Sequence, residues 1–299
     1  MTSIYFMANN SKEIRRRIKS IRNIGQITKA MELVSAAKMR KAQSAATSSR
    51  PYATLSAELL RNLASKTSQS EHPLLNRVAP RGQTPHAQKV LIILITSDRG
   101  LAGALNANVI TKALQIFKDE GAGKVDFVTI GKKGTDAVKR LGGNIIATFS
   151  GKDKNIFMMD AKPAAQIAMQ DFVSEKYEKV FVIYSDFVST LVQRPSILQL
   201  LPFQEGGGGR EKGEEFLFEP SAHEVLENLV VRAVEFAIYQ AMVEAVASEH
   251  SSRMVAMRNA NEAAGDLIDD LSLSYNQAIQ GGITRELSEI SAAKLAMEG

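Results

Sequence analysis

The sequence has no cysteine and no tryptophan, and only eight of its 299 residues are proline. Without cysteine the chain cannot form a disulfide or a thiolate metal site, which suits a reducing compartment. It also lacks a run of about 18 apolar residues, so we expect no membrane-spanning helix. The histidines are His72, His86, His223 and His250. No two of them have the spacing of a helical metal pair, so we interpret them as surface residues.

The fingerprints of nucleotide-binding loops are missing as well. Neither G-x-G-x-x-G nor G-x-x-x-x-G-K-[ST] occurs in the chain. Ser97 and Asp98 could serve as a nucleophile and an acid, but no histidine lies near them in the sequence to act as a base. The loop 131–134, GKKG, is weak evidence for a ligand site. The residues therefore give little support to an enzyme, and we predict no catalytic residue, cofactor or metal.

Two long helical segments of opposite charge stand at the ends of the chain. Residues 11–50 hold eleven lysines or arginines against Glu13 and Glu32, whereas acidic residues dominate from residue 221 onward. In the first segment, apolar residues recur every three or four positions: Ile14, Ile18, Ile21, Ile24, Ile27, Met31 and Val34. This period predicts a helix, which we expect to end at Pro51 and to be followed by a second helix over 52–66.

The C-terminal helix is predicted to begin at Pro220-Ser221 and to continue to the end of the chain, since no further proline follows. Two long helices at opposite ends of one sequence predict an antiparallel coiled coil. We expect the apolar stripe of the first helix to form the seam, with Ile18, Ile21 or Ile24 against the last quarter of the second.

Between these helices the pattern is typical of an α/β domain. The apolar run 89–96 predicts a central parallel strand. Further strands are predicted over 125–130, 145–149 and 179–184 and an edge strand over 198–203, with helices over 106–119, 133–141 and 161–177. This alternation favours a Rossmann-like, doubly wound α/β domain.

The predicted organisation has five parts. These are a coiled-coil helix and a following helix over 1–66, a polar, proline-containing linker over 67–88, the α/β domain over 89–205, a glycine-rich flexible loop over 206–220, and a C-terminal coiled-coil helix over 221–299.

The basic N-terminal segment has three interpretations. Its charges could attract the acidic C-terminal helix, or they could face an acidic protein partner. The third is a basic coiled-coil nucleic-acid-binding protein with an inserted α/β domain, although residues 11–50 contain no aromatic side chain before Pro51 to stack on bases. An α/β enzyme with long dimerisation helices is a further alternative, and it would bind a small molecule at the loop 98–106.

Three segments together carry a family resemblance. They are KEIRRRI at 12–18 with ITKAMELVSAAKMR at 27–40, then TSDRGLAGALN at 96–106, and SEHSSRMVAM at 248–257 followed by ITRELSEI at 283–290. In their order and spacing these segments resemble the gamma subunit of rotary F-type ATP synthases.

This resemblance implies a non-catalytic central-stalk rotor. The two long helices would turn inside a ring of alpha and beta subunits, which binds the ATP, and the α/β domain would meet the epsilon subunit and the membrane c ring. The complex would be attached peripherally to the cytoplasmic side of a bacterial cell membrane, with no role for nucleic acid. The implied rotor–stator contacts are Met31, Arg253, Gln280, Thr284 and Glu286.

One departure from the family pattern lies near the C-terminus, where Ile279 precedes Gln280 in place of the usual arginine. If that arginine binds the surrounding ring, this chain must rely on its other contacts. Alternatively, Ile279 belongs to the apolar seam together with Leu271, Tyr275 and Ile283.

Overall fold

The structure is a computed structural model that describes residues 2–66, 74, 89–150, 156–202 and 222–298. It divides into two compact units. Met1–Val34 and Met254–Gly299 make up the coiled-coil unit, and Ser35–Arg253 make up the α/β unit. The predicted loop 206–220 lies outside the described residues, as does the predicted linker 67–88 apart from Leu74, which is buried.

Five helices and five strands are described. In chain order they are α1 (Thr2–Lys66), β1 (Val90–Ile95), α2 (Leu105–Glu120), a 3-10 turn (Ala122–Lys124), β2 (Val125–Ile130), α3 (Lys132–Arg140), β3 (Asn144–Phe149), α4 (Met158–Val173), β4 (Lys179–Phe187), β5 (Gln193–Leu201) and α5 (Ala222–Glu298). The predicted alternation of the middle region is confirmed, with β5 starting earlier in the chain than expected.

The strands form one sheet in the order β3-β2-β1-β4-β5. β1 pairs in parallel with β2 and β4, β2 pairs in parallel with β3, and β5 is antiparallel to β4. Because β1 is central and covered on both faces, all six of its residues are buried. This explains why its sequence is a continuous apolar run rather than an alternating one.

Each face of the sheet has its own core. On one face, Leu91 and Ile93 of β1 belong to a cluster with the alanines of α4 and with Val234 and Ile238 of α5. On the other face, Ile92 belongs to a cluster that includes residues of α2 and α3. The C-terminal helix is therefore part of the core of the α/β unit.

A buried carboxylate joins the amino ends of the strands. Asp126 accepts hydrogen bonds of 2.8 Å from Tyr177 Oη and from Asn144 Nδ2, and Lys89 Nζ lies 3.5 Å away. Burial works to raise the pKa of Asp126, but these three partners outweigh it, so the pKa lies below its ordinary value. Burial and the neighbouring Asp126 raise the pKa of Tyr177.

The prediction that Pro51 ends the first helix is wrong, since α1 continues through it to Lys66. A proline inside a helix costs about 3 kcal/mol through the lost hydrogen bond and the ring clash. Here packing against α5 offsets that cost. The Tyr52 ring lies 4.7 Å from that of Phe236, Ser56 is buried, and Ser49 Oγ is 2.5 Å from Gln240 Oε1.

The predicted antiparallel pairing of α1 and α5 is confirmed within each unit. In the α/β unit, residue 49 meets 240 and residue 52 meets 236. In the coiled-coil unit, Gly25 lies beside Asn261 and Ala264, and Glu32 bonds Arg258. The predicted register is wrong, because Gly25 already faces 261–264 and residues 18–24 therefore cannot reach the last quarter of α5.

None of the helices within the described residues combines the length and the apolar content that crossing a membrane requires.

Candidate functional site

The loop after β1 contains the residues that sequence reasoning weighed as a catalytic pair. Ser97 is almost fully buried, and its Oγ donates to the Arg99 carbonyl at 2.6 Å. Asn106, in the first turn of α2, reaches back so that its Oδ1 accepts from the Ser97 amide at 3.1 Å and its Nδ2 donates to Ser97 Oγ at 2.8 Å. Ser97 therefore ties the loop together internally.

The N-terminus of α3 is capped by the same loop. Asp98 Oδ1 accepts from the Lys132 amide at 2.8 Å, and the Ser97 carbonyl accepts from the next amide at 3.0 Å. Thr96 Oγ1 accepts from the Gly134 amide at 2.8 Å. An exposed helix N-terminus is a natural phosphate site, but here the chain's own oxygens satisfy these amides.

A small cleft lies at the carboxyl ends of β1 and β4. In doubly wound folds this is the topological switch point, where ligands usually bind. Here α5 lines the cleft with Met242, Glu249 and His250, among others. A helix of the protein itself thus covers the position that a ligand would occupy.

Three serines of α5 bind the carbonyls of β4 and of two loops at this end of the sheet. Ser248 Oγ donates to the Ser185 carbonyl at 2.9 Å, and Ser251 Oγ to that of Thr190 at 2.6 Å. Ser252 Oγ donates to the Ala102 carbonyl at 2.7 Å. Sequence analysis assigned these serines no role, although their helical spacing on one face was a readable signal.

Arg253 continues this contact and is only 6% exposed. Its Nε and Nη2 donate to the Gly100 carbonyl at 3.3 and 3.2 Å, and Nη2 also donates to Glu249 Oε1 at 2.7 Å. The Nη1 atom lies 3.3 Å from His250 Nδ1. The interpretation of His250 as a surface residue is therefore wrong, because it is buried beside this guanidinium.

In the coiled-coil unit, the α1 residues that turn inward differ from the predicted stripe. The inward positions alternate by three and four residues and are Ile14, Ile18, Ile21, Gly25, Thr28 and Glu32. From position 24 onward three of the predicted apolar residues leave the seam. Ile24, Ile27 and Val34 are exposed, whereas Thr28 and Glu32 are buried.

The corresponding positions of α5 are Met254, Met257, Asn261, Ala264, Ile268, Leu271, Tyr275, Ala278 and Gly282. Glu32 is the last inward position of α1 in this seam: its Oε1 accepts from Arg258 Nε at 3.2 Å and its Oε2 from Lys29 Nζ at 2.9 Å. The lysine hydrogen bond, with help from Arg258, lowers the pKa of Glu32 against the opposing effect of burial.

The residues predicted as rotor–stator contacts lie at different depths. Gln280, Thr284 and Glu286 are exposed on α5, Met31 is partly exposed on α1, and Arg253 is buried. Ile279 is 37% exposed and lies off the seam, which passes through Ala278 and Gly282. The alternative that placed Ile279 and Ile283 in the seam is therefore wrong.

Among the described residues, no group of three or more His, Cys, Asp or Glu side chains could hold a metal ion. In the α/β unit, α5 covers the switch-point crevice, and in the coiled-coil unit apolar side chains are exposed. These features are typical of a protein that works by contact with other proteins.

A family model described as ATP synthase matches residues 10–297. The chain is 41% identical to the ATP synthase gamma chain of Herpetosiphon aurantiacus over 297 residues and 43% identical to that of Pelotomaculum thermopropionicum over 291. Each alignment covers 96% of this chain and 99% of the relative. The chain therefore belongs to the ATP synthase gamma chain family.

Two solved structures share the fold. A chain of the Euglena gracilis mitochondrial ATP synthase aligns with a TM-score of 0.66 at 18% identity, covering 97% of this chain and 95% of that one. A chain from the central stalk and c-ring structure of the Tetrahymena thermophila enzyme gives 0.59 at 23%, covering 78% and 99%. The gamma chain is the rotor of ATP synthase and is not itself catalytic, which confirms the predicted class and does not favour the nucleic-acid-binding alternative.

Proposed function

We propose that this chain turns as the central stalk of an F-type ATP synthase inside a ring of alternating alpha and beta subunits. In this proposal the coiled-coil unit meets the ring, and the α/β unit meets the epsilon subunit and the membrane c ring. The complex is attached to the cytoplasmic side of a bacterial cell membrane. Rotation then couples ion flow through the c ring to ATP synthesis or hydrolysis in the ring.

The observation that carries this proposal is the outer surface of the coiled-coil unit. Large apolar side chains that do not face the partner helix are exposed on both helices: Ile24, Ile27, Leu33 and Val34 on α1, and Leu273, Ile283, Leu287 and Ile290 on α5. Exposed apolar residues in such number are typical of a region that contacts other proteins. A surrounding ring of subunits would cover them from every side.

The two helices also present different surfaces. The exposed part of α1 near Ile27 carries basic residues such as Lys19 and Arg22, whereas the exposed part of α5 near Ile283 carries Glu286. Each beta subunit would therefore meet a different surface at any moment. Contacts that differ in free energy between beta conformations bias each subunit toward a different nucleotide affinity, and rotation exchanges these biases.

Within this surface we propose Met31, Gln280, Thr284 and Glu286 as direct contacts with the ring. Their exposure supports the proposal, and it agrees with the roles that the family resemblance implies. Arg253 is buried within the α/β unit, so we assign it an indirect part in coupling, through the turn that it holds.

Affinity purification of the tagged chain from its native source tests the proposal. Alpha and beta subunits should be recovered in excess over the tagged chain, with epsilon and c subunits present when the membrane is solubilised gently. Ile27→Asp should reduce the recovery of alpha and beta, because it places a charge on the proposed ring contact. Leu141→Asp is the matched control, since it changes an exposed apolar residue of the α/β unit.

Recovery of the chain without alpha and beta subunits would contradict the proposal. Recovery of nucleic acid, released steeply by added salt, would support the alternative of a nucleic-acid-binding protein instead.

A further inference from the structure

Ser185 lies where strand β4 meets helix α5 and the cleft at the carboxyl ends of the strands. Phe181 and Ile183, four and two residues earlier, are on the same side of β4 and pack in the core on the α2 side of the sheet. At Ser185 a small polar side chain stands where this apolar series would continue. The serine lines the cleft and is only 4% exposed. The strand therefore ends with a buried hydroxyl group against the cleft, rather than with a third large apolar side chain.

This hydroxyl group has no hydrogen-bond partner among the residues that the structure describes. The backbone of the same residue is satisfied, since the Ser185 carbonyl accepts from Ser248 Oγ at 2.9 Å. A buried hydroxyl without a partner costs free energy, and native proteins contain few of them. Where one is found, a bound water molecule or ligand is the usual explanation. Ser185 Oγ therefore indicates that the cleft binds something polar.

The size of the cleft decides what can bind there. The space that the centre of a water-sized sphere can occupy in it is about 30 Å³. One water molecule needs about 10–15 Å³ of such space, whereas a cavity that takes benzene measures about 150 Å³. The cleft beside α5 thus has room for one or two water molecules, and not for a nucleotide or another organic cofactor.

A bound water molecule needs at least two polar partners, and Asn106 can provide the second. Asn106 is in the first turn of α2 and also lines the cleft. Its Oδ1 accepts from the Ser97 amide, which fixes the orientation of the side-chain amide, and its Nδ2 donates to Ser97 Oγ at 2.8 Å. An Nδ2 group carries two hydrogens, and within the described part of the chain the second has no acceptor.

We propose that the cleft is a binding site for a water molecule, which accepts a hydrogen bond from Asn106 Nδ2 and shares another with Ser185 Oγ. The water joins the end of β4 to the first turn of α2, beneath α5. It adds to the direct hydrogen bond by which Ser248 holds α5 at the same point of β4. The site is independent of the proposed rotor function, because it is formed by the α/β unit alone.

Ser185→Ala gives opposite results with and without a bound water. If the hydroxyl were unsatisfied, removing it would favour the folded state and lower the equilibrium constant for unfolding by about 5- to 150-fold. With the water bound, the variant loses a hydrogen bond and should raise this constant by about 2- to 12-fold. Urea unfolding of the full chain, followed by circular dichroism, measures the constant. An unchanged or lowered constant would overturn the proposal.

Oxygen-17 magnetic relaxation dispersion detects the water itself, because it counts the water molecules that a protein holds for longer than the protein tumbles. The count for Ser185→Ala should be one lower than that of the wild-type chain. Ser251→Ala is the matched control: it removes another buried serine hydroxyl, but the Thr190 carbonyl that this hydroxyl binds still accepts from Gln193 Nε2 at 3.0 Å. The control should keep the wild-type count. An unchanged count in Ser185→Ala, or an equal fall in the control, would contradict the proposed site.

A high-resolution crystal structure of the wild-type chain provides a check that needs no variant. A water oxygen should lie about 2.5–3.2 Å from Ser185 Oγ. A dry cleft, or electron density for a larger molecule, would show that the site is not a water site.

Discussion

The long helix α5 has a different environment in each unit. From Val230 to Arg253, in the α/β unit, most of its residues are buried around the whole circumference, including Ile238 at 0% exposure. From Met254 onward, in the coiled-coil unit, inward residues recur every three or four positions and apolar residues such as Ile283 are exposed. The first stretch is a core element, whereas the second has a narrow seam and a large surface left for partners.

The same substitution, isoleucine to alanine, tests the difference between the two stretches of α5 and should give the largest effect. Ile238→Ala should reduce the free energy of unfolding by about 2–5 kcal/mol, because it removes buried methylene groups and leaves a cavity. Ile283→Ala should change it by less than about 0.5 kcal/mol in the isolated chain. Urea unfolding followed by circular dichroism measures both, and similar losses would show that the two stretches do not differ as described.

Two glycines provide the next comparison. In the α/β unit, Gly131 has φ +99°, and a Cβ there would lie 2.0 Å from the Thr96 carbonyl oxygen. Gly131→Ala should therefore cost at least about 1–3 kcal/mol from backbone strain alone.

In the coiled-coil unit, a Cβ on Gly25 would lie 3.6 Å from Asn261 Oδ1 and 3.7 Å from Ala264 Cβ, which is ordinary contact. Gly25→Ala should be neutral or should stabilise by up to about 1 kcal/mol, since alanine is the better helix former. Thermal melting of the two variants side by side decides the comparison, and a large loss in Gly25→Ala would mean that the helices lie closer than described.

The ion pairs of Glu32 with Lys29 and Arg258 predict a pH effect. Because the folded-state pKa of Glu32 lies below its ordinary value of 4.5, its contribution is fully present above that value and is lost as the pH falls through the lowered one. The effect should be about 0.2–1 kcal/mol, since Lys29 and Arg258 are half exposed. Glu32→Gln should remove this part of the acid sensitivity. Urea midpoints at pH 7 and pH 3.5 measure it, and an equal acid loss in both proteins would contradict the assignment.

The smallest expected effect is at Ile279. This side chain is off the seam and more than a third exposed. Ile279→Arg should therefore change the free energy of unfolding of the isolated chain, measured by thermal melting, by less than about 0.5 kcal/mol. Ala278→Arg, one residue earlier and on the seam, is the matched comparison and should be clearly destabilising. A large loss in Ile279→Arg would show that this position belongs to the core.

The α/β unit was largely predictable because its sequence signals and its structure have the same cause. The run Val90–Ile95 is apolar because β1 is covered on both faces, and Gly121 and Gly131 stand where α2 ends and α3 begins. Pro51 gave a wrong prediction. Its local preference against a helix was outweighed by distant contacts such as Tyr52 with Phe236, which a linear pattern does not reveal.

The seam was harder to predict, because apolar periodicity does not say which partner a face meets. Ile24 and Ile27 continue the spacing of Ile21, yet they face outward, and Thr28 and Glu32 take their place. A helix that packs against a neighbouring helix and also against other proteins has two apolar faces. The sequence pattern alone does not say which of the two faces the neighbouring helix. The burial of Arg253 was not predictable either, since a charged residue on a helix is normally expected at the surface.

The capping of α3 by Thr96, Ser97 and Asp98 has a thermodynamic consequence. A fold whose helix N-terminus is completed by a bound phosphate becomes more stable as ligand concentration rises and less stable as it falls. Here the completing oxygens are covalently part of the chain, so their effective concentration never changes. The N-terminus of α3 therefore needs no bound phosphate to complete it, and a change in nucleotide concentration does not alter stability through this helix end.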